Sequence, residues 1–404
     1  MTKATLGKLV KLALVVGLML YVFRRVQWED HLVRRASGVE TTEVVRIEGQ
    51  WTGETVVIVR AEEQREQFLA GRQADGSEVD LAPGFWTYCR NIDVFLFAIG
   101  ALCYFATVML AGARWWWLLR VNGLAVSLAE ALRFTWIGVF FNNIFLGSTG
   151  GDVIKALYIM KRCPGQRVPA LVSVIVDRVL GLASLAILGA LVVLFAIERF
   201  ADIAIAIWSV IGALSVLAAV AFSRRLRGLV RLKWMLDRLP AKVGNLLKMF
   251  DQAVYFYRGH KRVILMSLLA GVGNHVISVM SVVLVGDALG IGMPWTEYFV
   301  LIPVINIVSA VPLMPNGWGV GEWLYQKLFA TYGAVYVTGI ESADNAARIM
   351  GTRAFALSVL YRLHTTIWSL LGGVLVLLER TRITKADIDE EAAIEASESG
   401  RPGP

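Results

Sequence analysis

The sequence predicts an all-α polytopic membrane protein. About six full spans and two re-entrant helical hairpins form an inverted pseudo-repeat, with a small β-rich extramembrane insertion. Three observations predict this. The 404 residues are 56% hydrophobic with mean hydropathy +0.60, well beyond the apolar share of a soluble domain. The apolar residues fall in runs close to the ~20 residues a membrane span needs. A Gly-rich break ending in a carboxylate also occurs twice within apolar sequence. The first runs Asn142-Asn143 through Gly147-Ser148-Thr149-Gly150-Gly151-Asp152 and on to Lys155. The second runs Asn306-Ile307 through Pro312 to Pro315-Asn316-Gly317-Trp318-Gly319-Val320-Gly321-Glu322. Lipid offers no hydrogen bond to a freed backbone group, so a break at membrane depth needs protein or a wet cavity around it. Two breaks at corresponding places in two halves mark a site at the interface of the halves.

The elements follow in order. Residues 1–27 hold the first span, Leu6 to Phe23, preceded by Lys3, Lys8 and Lys11. No small-residue cleavage pattern follows it and Arg24-Arg25 comes directly after, so it reads as an uncleaved span. Residues 28–90 form an extracytoplasmic β-rich insertion. Val44 to Glu48 and Thr55 to Val59 read as strands with a turn between them, and Glu62 to Ala70 as a helical turn or two. The insertion is too short for a confident core of its own, so it is expected to rest on the membrane part. Residues 91–223 are the first half of the membrane domain. A span from Ile92 to Leu110 ends in an Arg114, Trp115 to Trp117 and Arg120 belt. The first hairpin is followed by spans over Pro169 to Ile197 and Ile203 to Phe222. Residues 224–262 are strongly basic, with leucines at helical spacing, and read as an amphipathic linker on an anionic lipid surface. Residues 263–380 repeat the plan, with spans Val263 to Val285 and Phe355 to Leu378 around the second hairpin. The tail, 381–404, reads as disordered and cytoplasmic.

Placing both termini in the cytoplasm puts most basic clusters inside. Arg24 and Arg25 are then the exception, on the outer side. The two hairpins open to opposite sides, as an inverted repeat requires, and a polar chamber is expected where they face each other. The net charge of +8 is explained by this distribution, and no nucleic-acid partner is expected.

The candidate site residues are Asn143, Gly150, Gly151, Asp152, Lys155, Asp177, Arg178, Asn306, Gly319, Gly321 and Glu322. A carboxylate in apolar sequence is costly unless paired or wet. Asp152 and Glu322 therefore bind a cation or a proton, or cap the helix that each begins, and the two roles are compatible. Asn143 and Asn306 offer amides to backbone, ligand or a neighbouring helix. The glycines permit positive φ and close backbone approach, and amides at such a break suit a phosphate. Asp177 and Arg178 are adjacent on a helix and cannot face each other. Each needs a partner elsewhere, and Lys155 and Asp152 are the candidates. Arg353 and Arg362 are candidates to meet Glu322. His31, His260, His275 and His364 lack metal-ligand spacing. Cys89, Cys103 and Cys163 form no metal pattern and read as structural. No catalytic triad or zinc-protease signature is present, so neither cofactor nor metal is expected.

Together, the stretch from Arg114 to Asp152 and Lys155, Val176-Asp177-Arg178-Val179-Leu180-Gly181 and the Pro315 to Glu322 break resemble the lysylphosphatidylglycerol synthase transmembrane-region (flippase-like) family, over about residues 90–380. The resemblance implies an integral inner-membrane protein that moves a polar-headed lipid, such as an aminoacylated phospholipid or a polyprenyl-linked lipid. It carries Lys155 where relatives often have Arg, and the 28–90 insertion is not part of the pattern. The function expected is a lipid translocase, a transporter rather than an enzyme. The alternatives are a membrane-embedded transferase acting on a lipid-linked substrate and a non-catalytic partner of an envelope-lipid enzyme.

Overall fold

A computed structural model describes residues 20, 23–24, 26–36, 39–49, 51, 55–60, 64–69, 71–72, 78–144, 150–222, 257, 259–309, 319–337 and 343–378. Most of the expected first span, the centres of both Gly-rich breaks, nearly all of the basic linker and the tail lie outside the described residues. The chain divides into two compact units. One comprises Met1–Tyr104 with Ser278–Thr365, and the other Phe105–Ile277 with Thr366–Pro404.

The protein is mostly helical. Among the described residues, four helices are long and apolar enough to cross a membrane: Val94–Val121, Pro164–Ala196, Lys261–Ala288 and Ala343–Leu378. We number the helices α1 (Phe85–Arg90), α2 (Val94–Val121), α3 (Leu128–Ile144), α4 (Gly150–Arg162), α5 (Arg167–Val193), α6 (Ala201–Phe222), α7 (Lys261–Ala288), α8 (Trp295–Ser309), α9 (Val320–Gly333) and α10 (Ala343–Leu378). Two expected boundaries change. The second span does not end before the tryptophans, because α2 runs on to Val121. The last helix starts at Ala343, so most of the stretch read as a polar connection over 338–348 is its first turns.

In the first unit the insertion is a six-stranded antiparallel sheet, ordered β4-β3-β2-β1-β6-β5. Its strands are β1 (Asp30–Ala36), β2 (Val39–Glu48), β3 (Thr55–Val59), β4 (Arg65–Leu69), β5 (Gly71–Arg72) and β6 (Glu78–Ala82). Leu32, Val45, Ile47, Val56 and Ile58 alternate along β1 to β3 and bury one face. The helical turns expected over Glu62 to Ala70 are corrected, since Arg65–Leu69 pairs antiparallel with Thr55–Val59. Cross-strand partners override a weak local helical preference there. Buried Asp30 ties the sheet to α1, accepting hydrogen bonds from Ile47 N (2.8 Å), Gly84 N (2.7 Å) and Thr87 Oγ1 (2.9 Å). The insertion and the residue before it meet α10. Gln27 N donates to Thr352 Oγ1 (3.1 Å), and the Phe85 ring lies 5.6 Å from that of Phe355.

Among the described residues, each unit holds an antiparallel pair of short helices. In the second unit, Arg162 at the end of α4 donates to Glu130 at the start of α3 (2.6 Å). Phe134 stacks on Tyr158 at 5.5 Å, and Gly138 faces Gly151. In the first unit, Tyr336 just beyond α9 donates to Glu297 in the first turn of α8 (2.6 Å). Further along, Tyr298 meets Phe329 edge-on at 5.4 Å. A large apolar core in the second unit packs Trp115, Leu119, Phe134, Ile137, Ile154 and Tyr158 among their neighbours.

Candidate functional site

In the second unit, α4 begins at Gly150, one side of the first break, and carries Asp152 in its first turn. Gly151 must approach α3 closely. A Cβ there would overlap the Gly138 carbonyl oxygen and lie 2.7 Å from the Asn142 amide. The Gly151 N–H instead donates to Asn142 Oδ1 (2.8 Å), so one orphan donor of the helix start is satisfied by the helix before the break. Asn143, the neighbour selected from the sequence, turns its amide back to Val139 O on its own helix (3.4 Å).

Asp152 faces Arg178 of α5, with Arg178 Nη1 3.3 Å from Asp152 Oδ2. Lys155, one turn after Asp152, donates to Asp177 Oδ2 (3.2 Å). Both partners expected for Asp177 and Arg178 are therefore found on α4. The same carboxylate holds Arg114, whose Nε donates to Asp177 Oδ1 (3.0 Å) and whose Nη2 reaches the Asp177 backbone carbonyl (3.2 Å). Arg114 is a correction: the adjacent tryptophans suggested an interfacial belt, yet its side chain is only 8% exposed. Trp115 is fully buried and lies under the Lys155 ammonium, 3.8 Å from its ring centroid. Its indole N–H donates to Ser173 Oγ on α5 (3.2 Å). Lys155 is thus fixed by a carboxylate on one side and an aromatic face on another.

Exposure separates these charges into two tiers. The Arg114, Lys155 and Asp177 side chains are 8%, 7% and 12% exposed, whereas Asp152 and Arg178 are 28% and 37% exposed. The deep trio moors α2, α4 and α5 together, and the shallower pair joins α4 to α5 beside it. The five side chains carry three positive and two negative charges, a balance that favours an anionic group.

In the first unit, α9 begins beside the second break with a similar device. Gly319 has φ +82°, a left-handed conformation that favours glycine. Its N–H donates to Glu322 Oε2 (2.6 Å), so the carboxylate reaches back over the first turn. The other oxygen of Glu322 pairs with Arg362 Nε of α10. The Glu322 side chain is 1% exposed and that of Arg362 17%. Gly321 keeps this approach open, because a Cβ there would lie 2.7 Å from Arg362 Nη2. Arg353 goes elsewhere: it donates to Tyr88 Oη (2.9 Å) and Ile291 O (2.8 Å) and lies over Trp51. Asn306 sits near the end of α8 and makes no side-chain hydrogen bond among the described residues. His275 meets Gly181 O (3.0 Å), an interhelical bond. Among the described residues no cluster of His, Cys, Asp and Glu could hold a metal.

Residues 82–373 match the lysylphosphatidylglycerol synthase TM region family. The chain belongs to this family. It is accordingly a multi-pass membrane protein of lipid metabolism or transport. It is also similar to a UPF0104 membrane protein of Pyrococcus horikoshii, 23% identical over 311 residues, which cover 71% of this chain and 88% of the relative. No solved structure matches it. The match includes α2 to α9 and most of α10, and hence Arg114, Asp152, Lys155, Asp177, Arg178, Glu322 and Arg362, while β1 to β5 lie outside it.

Proposed function

We propose that this protein is a lipid translocase, moving a polar-headed lipid across the cytoplasmic membrane with both termini on the cytoplasmic side. An aminoacylated phospholipid or a polyprenyl-linked lipid is the class of cargo. The observation that carries this reading is an arrangement repeated within the chain. A carboxylate in the first turn of a short helix that follows a Gly-rich break pairs with an arginine of a long helix, as Asp152–Arg178 and as Glu322–Arg362. Family membership supports it.

In this reading α3–α4 and α8–α9 are re-entrant hairpins of an inverted repeat. Their helices have 17, 13, 15 and 14 residues. At 1.5 Å per residue the described part of each covers roughly 20–25 Å, against a hydrocarbon core of about 30 Å. The arginines offer forked donors to a lipid phosphate, a geometry suited to Arg. The carboxylates offer acceptors to an ammonium or hydroxyl of the head group. Exchanging a pair for head-group contacts offsets the cost of taking a polar head out of water, while the acyl or prenyl chains stay in the bilayer.

The test is reconstitution of the full chain into liposomes containing NBD-labelled phosphatidylglycerol, with dithionite reducing only the outer-leaflet label. Translocation leaves less protected label in protein-containing liposomes than in empty ones. Equal protection in both, repeated with a lysyl-phosphatidylglycerol probe, counts against the reading. Mass spectrometry of the lipid retained on purification then narrows the cargo.

A further inference from the structure

One charged feature of the chain takes no part in this reading. Arg24 and Arg25 directly follow the N-terminal apolar run, against the charge pattern that orients the other spans. Arg24 lines a cleft of about 350 Å³ in the first unit, together with Gln27, Trp28, Glu29, His31 and Arg348. The cleft is built from the segment joining the apolar run to β1 and from the start of α10.

Its framework is fixed. Gln27 N donates to Thr352 Oγ1 (3.1 Å), and its side-chain amide donates to Ala82 O (2.6 Å). Thr352 Oγ1 in turn donates to Arg348 O (3.1 Å). Trp28 donates its indole N–H to Phe23 O (3.1 Å) and stacks on the Phe23 ring at 5.4 Å. Both Arg24 and Arg348 are exposed, Arg348 donating to Asn345 Oδ1 (3.3 Å), so two permanent cations stand against the single carboxylate of Glu29. Phe23, Trp28, Phe85 and Phe355 form an aromatic group beside the cleft, next to Trp86, which is 57% exposed. Phe85 and Phe355 are buried and make the group a packed wall, and the exposed Trp86 is the residue of a type enriched at the head-group level of a bilayer.

We propose that this cleft binds a phosphate group, that of an anionic membrane lipid or free inorganic phosphate. Two arginines supply the forked donors that phosphate recognition favours. A volume near the lower end for ligand sites suits a head group and leaves acyl chains outside. The site lies apart from Asp152 and Glu322 in the sequence and requires no lipid movement, so its failure would leave the translocase reading untouched.

The full chain, purified in neutral detergent, is titrated with phosphatidylglycerol and with diacylglycerol, and bound lipid is counted by native mass spectrometry. The Arg24→Gln/Arg348→Gln variant loses charged hydrogen bonds to the phosphate and is expected to bind phosphatidylglycerol at least about tenfold more weakly. Glu29→Gln, which keeps both arginines, is expected to bind it more tightly. For the part of the binding that the double variant loses, displacement by millimolar inorganic phosphate assigns the site to free phosphate, and resistance to displacement assigns it to the lipid. Equal affinity in the natural chain and the double variant overturns it, as does diacylglycerol binding as tightly as phosphatidylglycerol. Should the double variant not fold, unchanged affinity in Glu29→Gln overturns it equally.

Discussion

Asp177 and Asp152 both stand beside an arginine, yet their surroundings assign them different work. Asp177 holds two cations whose side chains are 8% and 7% exposed. Removing a carboxylate from such a place leaves charge buried and uncompensated, which costs about 3–5 kcal/mol. Asp177→Ala is therefore expected to lower the unfolding midpoint sharply and to cut the yield of folded protein in detergent. Asp152 and Arg178 are 28% and 37% exposed, and Asp152 faces one arginine where Asp177 holds two buried cations. Asp152→Ala should lower the unfolding midpoint by less than Asp177→Ala does, while removing lipid movement. A large midpoint drop in Asp152→Ala would assign that carboxylate to structure. Cys89, outside the membrane-spanning helices, carries a separate prediction. Burial pushes its thiol up from the usual range to about 11. The reactive thiolate forms only as pH rises toward that value, so maleimide labelling of Cys89 should be slow at pH 7.5 and rise about tenfold per pH unit up to about pH 10. A labelling rate that levels off near pH 9 would contradict the burial argument.

At the scale of elements, the α3–α4 pair depends on the contact between Gly138 and Gly151. Gly151→Ala would drive a methyl group into the Gly138 carbonyl, and overpacking of this kind typically costs about 1–3 kcal/mol. Gly165→Ala is the control, since its Cβ would meet nothing within 4 Å. Comparing their unfolding midpoints checks the packing, and equal midpoints would refute it. Much of this level was legible in the sequence. The starts of α4 and α9 follow from Gly-rich breaks ending in Asp152 and Glu322, and their partners Arg178 and Arg362 were candidates because a carboxylate in apolar sequence needs one. Arg114 was not legible as a partner of Asp177. Its local neighbours are three tryptophans, and the residue that decides its position lies 63 places away in the chain. The sheet shows the same limit. Thr55–Val59 reads as a strand by its β-branched run, whereas Arg65–Leu69 is fixed by the partner across from it. Asp30, a polar residue at the edge of an unremarkable stretch, gives no local sign that it joins β2, α1 and the turn at Gly84.

At the scale of the whole molecule, a family of membrane proteins and a repeated carboxylate–arginine device converge on lipid handling. The insertion is joined to the membrane helices of the first unit through Arg353, which is 8% exposed and bonds to Tyr88 and Ile291. Arg353→Ala leaves those two buried acceptors without a charged donor, a loss of about 1.5–3 kcal/mol for each such bond. Limited proteolysis should then cut within 28–90 faster than in the natural chain, and an unchanged rate would show that other contacts hold the insertion. The central claim is that the two carboxylates serve lipid movement. Its most direct test is the dithionite assay on the Asp152→Ala/Glu322→Ala variant, reconstituted beside the natural chain at equal folded amounts. Loss of protein-dependent NBD-phosphatidylglycerol movement is the predicted result; movement at the rate of the natural chain would contradict the account.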